Sequence, residues 1–189
     1  MSALSRWFGL GMNLSLRLSI LYFLGEVLRK PNDARFAGKA IPVRNLIVVT
    51  SFSLLFPVLN KFWPRRPWVR YPVWLDSLYL SLFWLDMAGN SFNLYDTHYY
   101  FDLIPHFHGT GAAAVVLRKA FRASPTSAVG LANMIHILLE AQEYYADVLA
   151  GTHNVRGPSD TVNDLVAGLL GAVVYTAAPA WARRVLGRR

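Results

Sequence analysis

The chain has 189 residues, of which 54% are hydrophobic and 16% charged, with a formal net charge of +8 and no cysteine. So few charges would poorly cover a soluble domain of this size, which turns the reading towards the bilayer. Lack of cysteine excludes disulfides, thiol catalysis and thiolate-bound zinc, so a metal site would have to use histidine, carboxylate or water; basic clusters beside apolar segments, with no RNA-binding motif, argue against a nucleic-acid partner.

In chain order the apolar segments run over about 8–26, 43–61, 73–92, 103–118, 126–146 and 161–182, bounded by Pro, Gly, Ser or basic clusters. The first resembles a signal peptide, but Arg17 interrupts it and no clean cleavage site follows, which leaves a retained span or an interfacial helix. Residues 1–42 therefore read as that helix plus a basic loop, and 43–189 as a transmembrane bundle with a basic tail. Pro57 and Pro179 fall inside apolar segments and predict kinks that membrane helices tolerate. Ser124 and Pro125 read as an N-cap and first helical residue. The fold class expected is all-α, a polytopic integral membrane bundle of five or six transmembrane helices in contact with lipid.

Basic residues give an orientation. Lys61, Arg65, Arg66 and Arg70 fill one connector, Arg118, Lys119 and Arg122 the next but one, and Arg183, Arg184, Arg188 and Arg189 the tail. All three fall on one side if each of the last five segments crosses, and the positive-inside rule makes that side cytoplasmic. The expected location is the cell membrane, multi-pass, with a cytoplasmic C-terminus. Arg29, Lys30, Arg35, Lys39 and Arg44 run against the trend, because alternation puts their loop outside.

The histidines and most acidic residues gather at the other ends of the last four segments. His136, Glu140, Glu143 and Asp147 lie within a stripe about 60° wide on an ideal helix. Asp86 and Asn90 repeat that spacing, Asp160 and Asp164 begin the last segment with Asn163 beside them, and Asp102 and His106 form the fourth set. Charges in hydrocarbon are costly and face the bundle interior or mark a route for ion, proton or substrate, so one polar pocket is expected. His108 points about 160° away from His106 on an ideal helix and enters the same pocket only if the Pro105 region is not helical. His153 is a further, weaker member. Gly168 and Gly171 fit close helix packing better than phosphate binding.

Asp102-Leu-Ile-Pro-His106 with Gly109, then Glu140-x-x-Glu143, then Asp160-Thr-Val-Asn-Asp164 leading to Gly168 and Gly171, resembles the YjdF-like group of small membrane proteins, with looser similarity to VanZ-like proteins. The resemblance covers about residues 85–175. It implies a membrane architecture and a pocket built on those three pairs, and carries no established reaction with it.

Neutral imidazole with carboxylate suits zinc, iron or manganese, and the carboxylates alone suit magnesium or calcium. One expectation is a metal-assisted hydrolase or transferase acting on a lipid-linked substrate, with Asp102, His106, Glu140 and Asp164 as ligands and Glu143 or Asp160 in the chemistry. Asp86, Asn90, His136 and Asn163 would line the pocket. A second is an ion- or proton-coupled transporter of a small solute, for which a homodimer would supply the symmetry that one short chain lacks. A third is a non-catalytic scaffold in which the polar cluster fixes helix register.

Overall fold

The computed structural model describes residues 3–185, with side chains through 178. The kink at Pro179 and the tail arginines lie outside the described side chains. Among the described residues the chain is all-helical: α1 (Ala3–Arg29), α2 (Ile41–Thr50), a 3₁₀ turn (Phe52–Leu54), α3 (Leu55–Phe62), α4 (Val73–Ser91), α5 (Leu94–Thr97), α6 (Leu103–Ala120), α7 (Pro125–Ala150) and α8 (Pro158–Val185). The described residues divide into two compact units that meet between Phe101 and Asp102. Among the described residues three stretches are long and apolar enough to cross a membrane: Ala3–Arg29, Ile41–Phe62 and Pro158–Ala178. The other long helices, α4, α6 and α7, all carry ionisable side chains within them.

In the first unit α1 packs along α4. Ile20, Phe23 and Leu24 recur at helical spacing on α1 and meet Leu80, Met87 and Ala88 of α4. The segment expected as one helix over 43–61 is broken at Ser51, where the backbone leaves the helical region and passes through the 3₁₀ turn. Pro57 lies in the first turn of α3 and has no N–H to return to the Ser53 carbonyl. That carbonyl instead accepts a hydrogen bond from Arg17 Nη1 at 2.9 Å. The break thus supplies an acceptor to a half-buried charge in an apolar helix.

Arg17 is held on several sides. Its Nη2 lies 2.6 Å from Asp76 Oδ2, a carboxylate with no exposed surface, and its Nε donates to Asn13 Oδ1 at 3.1 Å. Asn13 Nδ2 and the Tyr71 hydroxyl donate to the same Asp76 oxygen, at 2.8 and 2.5 Å. Burial, then the adjoining Asp76 carboxylate, push the Tyr71 phenol well above its ordinary range.

Basic residues between α1 and the first turn of α2 are also paired. Arg35 bonds Asp33 and Glu26 and donates to the Ser91 carbonyl; Lys39 reaches Asp96 at 2.8 Å, and Arg44 reaches Asp86 at 3.4 Å. Three of the cations that ran against the orientation trend therefore have acidic partners. The same bonds bring residues 30–40 to the end of the first unit that carries the C-terminus of α4, opposite the connector 63–72.

The second unit is a three-helix packing with a small-residue core. Ala114, Ala132 and Ala172, one from each helix, are buried together, and α6 and α8 approach most closely where glycine permits it. A Cβ at Gly171 would overlap the Phe107 carbonyl of α6, and one at Gly111 would strike the Tyr175 ring of α8. The expected cap is present: Ser124 Oγ accepts from the Ser127 amide at 3.1 Å, with Pro125 at the first helical position.

Candidate functional site

Three helices of the second unit each bring a polar pair or single group to one place. On α7, His136 and Glu140 are one turn apart and share the buried face, while Ile135, Ile137, Leu138 and Leu139 stay exposed. On α6, Asp102 precedes the first turn and its carboxylate turns to His106, one turn on, rather than capping the helix. On α8, Asp164 is 3% exposed and Asp160 occupies the first turn.

His106 is the centre of this arrangement. Its Nδ1 lies 2.7 Å from His136 Nε2 and 3.5 Å from Glu140 Oε1, and His136 Nε2 lies 3.3 Å from that same oxygen. Its Nε2 faces the opposite way, 3.3 Å from Asp102 Oδ1 and 3.8 Å from Asp164 Oδ1. Both sets, His106 with His136 and Glu140, and His106 with Asp102 and Asp164, have the residue types and spacing to hold a metal ion. Buried carboxylates at such distances need protons, cations or charged donors to balance them. Asp102, Glu140 and Asp164 each lie within ion-pair distance of a histidine ring nitrogen. Two atoms in the cluster, His136 Nδ1 and Asp164 Oδ1, are buried without a hydrogen-bond partner.

The helix geometry sorts the sequence candidates. Asp102, His106, His136, Glu140 and Asp164 come together. Pro105 does not bend the entry: it lies in the first turn of α6, where its missing N–H would have been unpaired in any case, and the helix runs on from Leu103. His108 accordingly lies on another face and pairs with the Tyr175 hydroxyl at 2.8 Å. Asn163 is exposed, because an offset of one residue turns it about 100° away from Asp164. Asp160 is half-buried and accepts the Arg156 amide at 3.1 Å, closing the turn before α8. Glu143 is half-buried one turn beyond Glu140 on α7, and His153 is exposed in the following loop.

Asp147, at the far end of the expected acidic stripe, clamps that loop. It accepts from Thr152 Oγ1 and from the amides of Asn154 and Val155. Burial works against the charged form, but these donors outweigh it and hold the Asp147 carboxyl below its ordinary range. Asp86 and Asn90 belong to the first unit, where Asp86 Oδ1 accepts from Tyr95 at 2.9 Å and from Asn90 at 3.3 Å beside Arg44. Apolar spacing alone does not reveal the Arg17–Asp76 centre. Its signal was an arginine inside one apolar segment and an aspartate near the start of another, two charges that become tolerable there by pairing.

Comparison of the chain with family models, with curated proteins and with solved structures finds no match in any of the three.

Proposed function

We propose that the protein is a multi-pass membrane protein that binds a divalent cation through His106 Nδ1, His136 Nε2 and Glu140 Oε1, and uses it for hydrolysis or group transfer on a lipid-linked substrate. The carrying observation is the convergence of those three atoms. Four-coordinate zinc with bonds of about 2.0–2.1 Å has ligands about 3.3 Å apart, and two of the separations here are 3.3 and 3.5 Å. The third, 2.7 Å between the imidazoles, would open slightly around an ion. Two histidines and a glutamate are also a ligand set that leaves a fourth position for water or substrate. Asp102 behind His106 Nε2 matches the carboxylate that commonly fixes a ligating imidazole.

A cation in that position would acidify its bound water. Such a water would attack the phosphorus or carbonyl carbon of the headgroup and give its proton to a base, while the bond to the leaving oxygen would break and that oxygen would take up a proton. Glu143, one turn from Glu140, is the candidate base. Membrane placement rests on the three apolar stretches and on an inverted distribution, with α7 exposing leucine and isoleucine while burying histidine and glutamate. In this reading the remaining long helices also cross, the C-terminus is cytoplasmic, and the resemblance to the YjdF-like group reflects kinship.

The test is metal analysis of the detergent-purified chain beside His106→Ala and Glu140→Ala, with turnover of lipid-linked phosphate and ester substrates in mixed micelles. Stoichiometric metal lost in both variants, with metal-dependent product release, is the expected result. Cation- or proton-coupled uptake in proteoliposomes without turnover would replace it with a transporter. A metal-free protein whose variants lose their helices would leave the scaffold.

A further inference from the structure

The cation reading leaves half of His106 unexplained. If Nδ1 ligates an ion, the Nε2 proton needs one acceptor, and Asp102 Oδ1 at 3.3 Å provides it. Asp164 then has no task. It is 3% exposed, its Oδ1 is buried with no hydrogen-bond partner, and that atom points at the same ring nitrogen from 3.8 Å. An ionised carboxylate in such a place requires a compensating positive charge.

Charge balance suggests where it comes from. Glu140, Asp102 and Asp164 contribute three negative charges. One divalent cation with neutral imidazoles leaves the cluster a net charge short of neutrality. A second divalent cation where Asp102 Oδ1, His106 Nε2 and Asp164 Oδ1 converge supplies positive charge at the orphaned Asp164 oxygen.

Resting on the cation reading above, we propose that Asp102 Oδ1, His106 Nε2 and Asp164 Oδ1 hold a second divalent cation, so that the His106 ring bridges a two-metal centre. The donor set of two carboxylates and an imidazole suits manganese, iron or zinc. As the second ion binds, the Nε2 proton leaves for solvent and the nitrogen lone pair becomes the metal bond. No electron is transferred.

The full chain in detergent, stripped with chelator and reloaded with zinc, is passed through a desalting column and its bound metal counted. Two ions per chain are expected, falling to one in Asp164→Asn, with helicity unchanged by circular dichroism. Copper loading gives a readout that needs no variant: an imidazole bridge couples the two spins, and the paramagnetic resonance signal of the saturated protein departs from that of isolated copper. One zinc at saturation in both proteins, with an uncoupled copper signal, would overturn the second site while leaving the single-cation reading in place. No bound metal in the parent chain would remove both.

Discussion

The His136 ring occupies the space that any side chain at position 168 would need: a Cβ built on Gly168 would overlap His136 Nδ1 and crowd Thr110 Oγ1 at 2.8 Å. The imidazole is therefore wedged against the backbone of α8, with its Nε2 edge turned to His106 and Glu140.

Gly168→Ala should accordingly displace His136 and weaken metal retention. Overpacking of this kind costs about 1–3 kcal/mol. Gly171→Ala should be worse for stability, because its obstruction is the Phe107 carbonyl, which cannot rotate aside. Gly109→Ala on α6 meets nothing within 4 Å and should be neutral or stabilise by up to about 1 kcal/mol. Thermal unfolding in detergent, read beside zinc content, checks the order. Equal effects at all three positions would refute the wedge.

The pairing of Arg17 with Asp76 predicts an asymmetric mutant cycle. Removing the arginine leaves a fully buried carboxylate with fewer donors, whereas removing the aspartate leaves a guanidinium that is 24% exposed and can turn outward. Arg17→Met should thus cost more than Asp76→Asn, towards the lower end of the about 3–5 kcal/mol seen when a buried pair is broken. The double variant should recover part of the loss. Additive costs in thermal unfolding would show that the two residues act independently.

The fold and the cluster were legible to different depths. Helix identity followed from apolar segments and from punctuation such as Ser124-Pro125, and the stripe on α7 named His136 and Glu140 because a single periodicity governs one helix. Which faces of different helices meet is set by small residues over long range. Gly171 against Phe107 determines how near α6 comes to α8, and hence that Asp164 reaches His106 while Asn163 does not. Asp147 had the right spacing for the cluster, yet the loop after α7 offers it backbone donors that a helical projection does not contain. The break at Ser51 was hidden for a similar reason, since the Arg17 that takes the Ser53 carbonyl lies 36 positions away.

The clamp at Asp147 makes the α7–α8 loop sensitive to acid in a defined direction. A carboxyl whose folded-state pKa is lowered contributes stability above its unfolded value, about 3.9, and loses that contribution as pH falls through the folded value. Amide exchange at Asn154 and Val155, corrected for intrinsic rates, should stay slow from neutral pH to about pH 4 and quicken only below it. Asp147→Ala should remove the protection throughout and speed tryptic cleavage after Arg156. Protection that survives in that variant would mean another group holds the loop.

The first unit also predicts its own sidedness. Lys39 with Asp96 and Arg35 with Ser91 place residues 30–40 and the segment after α4 at one end, while Tyr71 with Asp76 places the 63–72 connector at the other. If α1, the α2–α3 segment and α4 each cross the bilayer, the two ends face opposite compartments. The chain has no cysteine of its own, so single cysteines report without background. Ala37→Cys and Tyr100→Cys, both at exposed positions, should react alike with a membrane-impermeant maleimide in intact cells. Val69→Cys, at a position 96% exposed, should react only after permeabilisation under the cytoplasmic assignment of that basic connector. The reverse pattern would invert the orientation and keep the three crossings. Identical labelling at all three positions would rule the crossings out.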